Sequence, residues 1–359
     1  LGHGGWDNGT YVKENTYTFQ AEAGLVYSFK VTAVNKGGES FPSEILSAYH
    51  AKNNQGTVLI VNAFDRTSGP ASFNTPTHQG FAMHRDPGIP YLHTPSYCGA
   101  QIGFDKAGIG KETSDGLGYS SQGLEGILMA GNTFDYPYVH GRAMLKAGHP
   151  FFSCSNETFC SDSTFRKQAW SVDVVCGKQV TTAVGSGLQK KYEVFPAGMQ
   201  EALTAFASDG GNILVSGAYI GTDIWDRIYP YEKDKTAVAA AKKFAQNVLG
   251  YTWAANSASR RGTVRYLSND ILTDLPSAEM QICNEINEKQ YSVESPDGLT
   301  PALKSAASFM RYKDSGISAG ICNEGKGYRT VCLGFPIETL KREDDINAIL
   351  SSCLNFMAD

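Results

Sequence analysis

The sequence predicts an α/β protein built on a doubly wound, mostly parallel sheet and preceded by a short all-β segment. From Val58 onward, apolar runs without alternation recur along the chain, and helix-length stretches separate several of them. Such runs are typical of strands buried on both faces, as in a parallel sheet covered by helices. Before Val58, residues 26–34 alternate apolar and polar side chains, which is typical of a half-buried strand.

The N-terminal segment is predicted as β structure over residues 17–51. The strand VYSFKVTAV (26–34) is followed by the turn NKGGES (35–40) and by a short strand at 45–50. The stretch YSFKVTAVNKGGESFPSE resembles the end of a fibronectin type III domain. This resemblance implies that residues 1–52 are the C-terminal half of such a β-sandwich, whose first strands lie upstream in a longer parent protein.

Residues 56–359 are predicted as the main α/β domain. Its strands are predicted in five apolar runs, at 58–61 (VLIV), 126–130 (GILMA), 150–154 (PFFSC), 212–216 (NILVS) and 329–334 (RTVCLG). Helices are predicted at 138–147, 196–208, 237–249 and 346–356. Residues 263–305 show no clear period and are predicted as an insertion or a small antiparallel extension. Strand and helix therefore alternate, as in a doubly wound sheet.

Composition excludes several classes of function. The chain has 359 residues, 42% of them hydrophobic, and a formal net charge of −5, so it can bury a core but offers no basic surplus for nucleic acid. No apolar run approaches the roughly 18 residues of a membrane span. The eight cysteines form no CxxC pair, which argues against a zinc ribbon. We predict no metal and no cofactor, and we leave open a local bridge between Cys154 and Cys160.

The candidate site follows from the strand ends, because ligands of open α/β sheets bind beyond the carboxyl ends of the strands. Cys154 is the candidate nucleophile, with His140 as its base and Asp135 as the third member; the alternative is a buried structural cysteine. Asp135 with Tyr136 and Tyr138 forms a polar, aromatic cluster suited to a sugar, unless Asp135 only caps a helix. The predicted ligand-binding residues are Asp65, Asn132, Tyr136, Ser155, Glu157, Tyr219 and Asp223.

Two stretches resemble the class I glutamine amidotransferases, whose fold is flavodoxin-like. KAGHPFFSCSNETF resembles that family's strand and nucleophile elbow, with Cys154 at the elbow. GYRTVCLGFPIETL resembles the late strand that carries the family's His-x-Glu pair; here Glu338 is present and the histidine is absent. An amide hydrolase needs a base to form its thiolate, so the departure argues against glutaminase activity.

The order of motifs resembles the C-terminal region of large secreted Bacteroidetes proteins labelled xanthan lyase. The motifs are VLIVNAFDR, AGNTFDYPYVHGRA, SCSNE, GGNILVSGAYIGTDIWD and LGFPIET. The resemblance implies an extracellular, cell-surface or periplasmic location, with a glycan or cell-wall polymer and other domains of the parent protein as partners. It predicts a carbohydrate-active or wall-processing protein with a remodelled hydrolase-type site. The alternative is an inactive glutaminase-like module that binds glycan or scaffolds a larger secreted protein.

Overall fold

The structure, a computed structural model, describes residues 5–51, 56–94, 104–108, 128–184, 189–226, 228, 234–267, 269, 271–272 and 279–358. In chain order the described strands are β1 (Val26–Phe29), β2 (Val34–Asn35), β3 (Gly38–Glu39), β4 (Leu46–Tyr49), β5 (Val58–Asn62), β6 (Ser72–Asn74), β7 (His78–Phe81), β8 (His93–Thr94), β9 (Phe104–Asp105), β10 (Met129–Ala130), β11 (Phe151–Ser155), β12 (Ser171–Gly177), β13 (Thr182–Val184), β14 (Gln189–Lys191), β15 (Asn212–Gly217), β16 (Tyr251–Ala255), β17 (Thr263–Tyr266), β18 (Glu279–Gln281), β19 (Gly298–Pro301), β20 (Ala306–Tyr312), β21 (Ser318–Glu324) and β22 (Arg329–Leu333).

The described α-helices are α1 (Tyr136–Lys146), α2 (Asn156–Ser161), α3 (Ser163–Arg166), α4 (Ala197–Ser208), α5 (Thr222–Trp225), α6 (Lys235–Phe244) and α7 (Glu343–Ala358). A π-helical turn at Ala245–Leu249 continues α6 and ends at Gly250, whose φ of 84° is left-handed. Glycine enters that region without the strain of a Cβ, so the helix stops there. The four predicted helices are therefore present, with ends shifted by up to three residues.

A 13-stranded mixed sheet organises the described residues. Its strands follow the order β1-β4-β11-β5-β12-β15-β22-β21-β20-β17-β18, with β16 and β19 attached beside β21. The central strands β11, β5, β12, β15 and β22 are mutually parallel. The strands outside them pair antiparallel.

The predicted fibronectin-type sandwich is wrong for this chain. β1 pairs with β4, and β4 pairs with β11 through Tyr49 opposite Phe151, so the N-terminal segment adds two antiparallel strands to the edge of the main sheet. Within residues 5–51, the two-residue strands β2 and β3 form a separate pair. The predicted single strand over 26–34 is therefore right only for Val26–Phe29, since Val34 belongs to the separate strand β2. The local alternation also holds no information about the partner of a strand.

The predicted flavodoxin-like, doubly wound sheet is also wrong, because the parallel strands form only the middle of a much larger mixed sheet. Four of the five predicted strands lie in that parallel middle. The run at 126–130 does not: its described part holds β10, which pairs antiparallel with β8 in a separate small sheet. Central strand β12 takes the missing place, and the predicted antiparallel extension at 263–305 contains β17, β18 and β19.

The sheet separates two hydrophobic layers. Alternate residues of each strand project to opposite faces, so Val58 and Ile60 lie in one layer and Leu59 and Val61 in the other. The first layer packs against α1 and α7, and the second against α2, α4 and α6. None of the described helices is both long and apolar enough to span a bilayer.

Gly141 allows α1 to approach the sheet. A Cβ at this position would lie 2.1 Å from the ring of Phe151 on β11, which is fully buried. We expect Gly141→Ala to lower the free energy of unfolding by about 1–3 kcal/mol through overpacking, although alanine is the better helix former. Urea unfolding followed by circular dichroism measures this change.

Gly198 on α4 is the matched control. The nearest atom to a Cβ there is Cys160 Cβ at 3.5 Å, an ordinary contact. We expect Gly198→Ala to raise stability by up to about 1 kcal/mol. An equal gain from Gly141→Ala would contradict the close packing of α1 on Phe151.

Candidate functional site

A buried ion network lies at the centre of the sheet face that α1 and α7 cover. His140 on α1 places Nδ1 2.7 Å from Asp173 Oδ2 on β12 and Nε2 3.2 Å from Glu338 Oε2. Tyr291 donates its hydroxyl to the other Glu338 oxygen at 2.7 Å. The His140, Asp173 and Glu338 side chains are at most 1% exposed. The network therefore links helix, central strand and the turn after β22 without contact with bulk water.

His140 is an imidazolium in this arrangement. Each ring nitrogen faces a carboxylate oxygen, which is the arrangement in which an imidazolium donates from both nitrogens. Burial alone would lower the pKa of His140, but the charges and hydrogen bonds of Asp173 and Glu338 outweigh it and raise the pKa to about 10. Burial, together with the neighbouring Glu338, also raises the pKa of Tyr291 well above its usual value, so Tyr291 remains a neutral donor.

The structure does not bring the predicted catalytic set together. The carboxylate that holds His140 is Asp173, whereas Asp135 accepts a hydrogen bond from Thr133 Oγ1 at 2.5 Å. Asp135 makes no side-chain cap of α1 either. Cys154 lies in the hydrophobic layer on the other side of the sheet.

Strand register explains why Cys154 and His140 are separated. Cys154 lies in one row across the sheet with Val61 and Val174, and the next row contains Asp173. Neighbouring rows project to opposite faces. Since Asp173 holds His140 on the α1 face, the thiol of Cys154 points away from it. Burial, followed by the nearby charge of Glu44, raises the pKa of Cys154 to about 12.

An open cleft lies beside the ion network on the α1–α7 face. We call it the Asp135 cleft; its volume is about 360 Å³, and the residues used below are Asp135, Tyr138, Arg142, Lys289, Gln290 and Lys341. The buried side chains of Tyr136, Tyr291 and Glu338 also line it. Arg142 lies over the ring of Tyr138, 5.9 Å from its centre, and pairs with Glu343 at 2.8 Å. The cleft thus combines an aromatic ring, a carboxylate, an amide and several cations.

A tight turn sets the position of Asp135. Phe134 adopts a left-handed φ of 58°, and its N–H donates to Asn132 Oδ1 at 2.9 Å. Asn132 Nδ2 donates to the Phe64 carbonyl at 2.9 Å, just beyond β5. A bulky residue is strained at a positive φ and adopts one only where the surrounding structure holds it there. Asn132, predicted as a ligand-binding residue, therefore positions the turn rather than facing the cleft.

Most other predicted ligand residues at the strand ends are used by the fold itself. Tyr219 donates its hydroxyl to the Arg85 carbonyl at 3.2 Å. Ser155 caps α2 by accepting from Thr158 N at 3.2 Å. Asp223 accepts from the backbone N–H groups of Thr181 and Val194, each at 2.9 Å. These side chains satisfy backbone groups that would otherwise be buried without partners.

A second crevice, with a volume of about 410 Å³, opens near the carboxyl ends of the parallel strands, on the side of the sheet that α4 and α6 cover. Asp65 lines it and accepts from Gln179 Nε2 at 2.5 Å. Burial raises the pKa of Asp65, and the negative charge of Glu157 raises it further. The hydrogen bond from Gln179 lowers this pKa but does not cancel the rise. Asp65 and Glu157 are therefore near each other, but on the side of the sheet away from Asp135. Tyr136 lies on the Asp135 side, where its ring stacks on Phe64.

No protein-family model and no curated protein matches the chain. Similar solved structures include a β-galactosidase from Bacillus circulans sp. alkalophilus (8% identity, 62% of this chain and 27% of that chain, TM-score 0.39). A second is an exo-β-1,4-mannosidase from Opitutaceae bacterium strain TAV5 (10% identity, 61% of this chain and 30% of that chain, TM-score 0.36). A third is a cytoplasmic protein from Salmonella typhimurium LT2 (7% identity, 84% of this chain and 99% of that chain, TM-score 0.42). The chain thus spans less than a third of the two glycosidases. At these TM-scores we draw no conclusion from the likenesses.

Two members of the network escaped the sequence prediction. Asp173 carries a signal, because a carboxylate in the middle of the apolar run SVDVVCG is rarely buried without a charged partner. Tyr291 carries none, since it lies in a stretch without periodicity. Glu338 was noticed as a surviving carboxylate, and the structure supplies its histidine from α1 rather than from its own strand.

The described cysteines, Cys154 and Cys160 among them, are free thiols, and no described group of His, Cys, Asp or Glu could hold a metal.

Cys154 should be a slow thiol. With its pKa raised and its side chain buried, we expect alkylation by iodoacetamide at neutral pH to run at least about tenfold slower than that of an unstructured thiol peptide. Peptide mass spectrometry over time gives the rate for each cysteine. Cys160, which is only partly buried, is the internal control and should react first. Faster labelling of Cys154 than of the peptide would restore it as a nucleophile.

The His140 network should make stability fall at alkaline pH. A folded-state pKa near 10, above the usual 6.5, gives a contribution that is complete below about pH 6.5 and is lost as pH rises toward 10. We expect the wild type to lose on the order of 2 kcal/mol between about pH 7 and 9.5 in urea unfolding.

Asp173→Asn should flatten that pH dependence, because it removes the nearest carboxylate from His140. It should also cost on the order of 3 kcal/mol at neutral pH, as expected when a buried ion pair is broken. Asp135→Asn is the control: Asp135 is bonded to Thr133 and should leave the wild-type slope intact. An unchanged slope in Asp173→Asn would show that the alkaline loss of stability does not come from the His140–Asp173 pair.

Proposed function

We propose that this chain is a carbohydrate-active protein that binds a saccharide in the Asp135 cleft without cleaving it. The observation that carries the proposal is the cleft's combination of Tyr138 with Asp135, Gln290 and Lys289 around about 360 Å³. Aromatic rings stack on sugar faces, while carboxylates and amides bond the hydroxyls. A volume of this order suits a few sugar rings.

Binding without cleavage is favoured by what the charged groups already do. Glu338 has one oxygen bonded to Tyr291 and the other to His140, and its side chain is 1% exposed. It therefore cannot serve as the second carboxylate that a glycosidase needs beside Asp135. Glu343 also lines the cleft, but its carboxylate pairs with Arg142 and Lys146. Cys154 lies on the opposite face of the sheet from His140 and its pKa is raised, so this pair does not provide a hydrolase nucleophile and base.

The motif resemblance to secreted proteins labelled xanthan lyase supports the wider setting that we propose. In that setting the chain is an extracellular, cell-surface or periplasmic module of a larger wall-processing protein. Its partners would be a glycan or cell-wall polymer and the other domains of the parent protein. Chemistry on the polymer would then belong to those other domains.

A glycan array followed by calorimetric titration tests the proposal. We expect Tyr138→Ala and Asp135→Asn each to weaken binding of the selected oligosaccharide at least about tenfold, the equivalent of one stacking or charged contact. Tyr11→Ala is the matched control, since Tyr11 is 88% exposed and outside the cleft. Unchanged affinity in the cleft variants would overturn the site. Release of new reducing or unsaturated ends, lost in Asp135→Asn, would overturn the non-catalytic assignment.

A further inference from the structure

Three aromatic rings form an exposed row beside the turn that leads to Asp135. The ring centres of Phe41 and Tyr91 are 6.3 Å apart, and those of Tyr91 and Phe134 are 5.5 Å apart. Phe41 is 86% exposed, Tyr91 is 43% exposed, and Phe134 is partly buried. We call Phe41, Tyr91 and Phe134 the aromatic row. Its rings remain in contact with solvent, although burial of each would be favourable.

Backbone hydrogen bonds tie together the three segments that carry the row. Ile45 donates its N–H to the Phe134 carbonyl at 2.9 Å, which ties the segment that follows Phe41 to the turn. The segment 90–92 exchanges two bonds with the backbone of Asn132, each 2.9 Å long, so the central ring is tied to the same turn. The positions of the rings are therefore set by the backbone frame beneath them.

Two residues of this frame have a strained backbone. Phe134 and Leu92 adopt left-handed φ angles of 58° and 53°. Gly131 lies so close to the facing segment that a Cβ would be 2.0 Å from the Pro90 carbonyl oxygen. Strained backbone of this kind clusters at functional sites and persists only where the surrounding structure holds it. Its presence under exposed rings indicates that the row has a ligand.

The aromatic row continues the Asp135 cleft. Phe134 directly precedes Asp135 in the chain, and Gly131 and Thr133 of the same turn line the cleft. A chain-like ligand that is longer than the cleft can therefore pass from Asp135 across the turn to the rings.

The row is too small for a stable protein partner. Since an aromatic side chain has a surface of about 150–250 Å², the exposed fractions of the three rings give roughly 300–400 Å². A stable protein interface takes about 800 Å² from each partner. The row also carries no cation for a phosphate backbone. A narrow ligand that stacks on single rings fits these limits.

We propose that the aromatic row binds an uncharged glycan chain that extends from the Asp135 cleft, an inference that rests on the proposed function. A sugar with equatorial hydroxyls, such as β-glucose, has C–H faces that stack on the negative face of an aromatic ring. The carboxylate of an acidic sugar would be repelled by that face. The rings are turned by 67° and 44° from one to the next, so they offer separate faces to successive sugars.

Calorimetric titration with cellobiose and cellohexaose, β-glucose oligomers of two lengths, tests the proposal. We expect the wild type to bind cellohexaose at least about tenfold more tightly than cellobiose, because only the longer chain reaches the row. Phe41→Ala/Tyr91→Ala should weaken cellohexaose binding by at least about tenfold and change cellobiose binding by less than about twofold. Phe41→Leu/Tyr91→Leu keeps apolar side chains without flat rings and should weaken cellohexaose binding equally.

Tyr17→Ala/Phe81→Ala is the matched control, since it removes one tyrosine and one phenylalanine ring that are 55% and 38% exposed outside the row. An equal loss in this control, or full binding by the leucine variant, would overturn stacking on the row. Failure of cellohexaose to bind the wild type, or equally tight binding of hexagalacturonate, would overturn the uncharged class. A dimer in sedimentation that the row variant dissociates would show that a second copy covers the rings.

Tyr138→Ala separates this inference from the proposed function. We expect it to weaken the binding of both oligomers, because both occupy the Asp135 cleft. If Tyr138→Ala weakens binding and the row variant does not, the row is overturned and the cleft stands. If only the row variant weakens binding, the cleft proposal and its continuity with the row are overturned.

Discussion

The packing of the α1–α7 face depends on one buried ion network, in which the imidazolium of His140 lies between the carboxylates of Asp173 and Glu338. Burying charged groups is costly unless each is paired and hydrogen-bonded, and here the network achieves both for the imidazolium. Its members come from helix α1, central strand β12 and the turn after β22. Any shift of one element would leave a charge unpaired, so the network fixes how α1 sits on the sheet and, through α1, where Tyr138 and Arg142 stand.

That constraint also decides what the α1–α7 face can do. Both oxygens of Glu338 form hydrogen bonds, one with His140 and one with Tyr291. Glu338 therefore stabilises the scaffold and has no free oxygen for a substrate. The groups that can meet a ligand lie around the network: Asp135 beside its strained turn and the ring of Tyr138. The Gln290 amide nitrogen donates to the carbonyls of Glu338 and Leu340, so it belongs to the support of the cleft. Rigid support beneath adaptable polar groups is an arrangement suited to recognition.

The carboxyl ends of the parallel strands lie along one edge of the sheet. Open α/β sheets bind ligands beyond this edge. Here, however, many of the polar side chains at this edge form hydrogen bonds with other groups of the chain. Asp223, Ser155 and Asn132 bond backbone groups of their own loops. The open clefts, those lined by Asp65 and by Asp135, lie on the two faces of the sheet beside this edge.

The sequence by itself determined the local structure: four buried strands, four helices and the cluster of Asp135, Tyr136 and Tyr138, because periodicity and end signals are properties of neighbouring residues. Only the tertiary structure decided that 26–29 and 46–49 join the main sheet, since strand pairing leaves no local trace. It also decided that His140 meets Asp173 and Glu338 rather than Cys154. Contacts of this kind depend on register, where a shift of one residue moves a side chain to the opposite face.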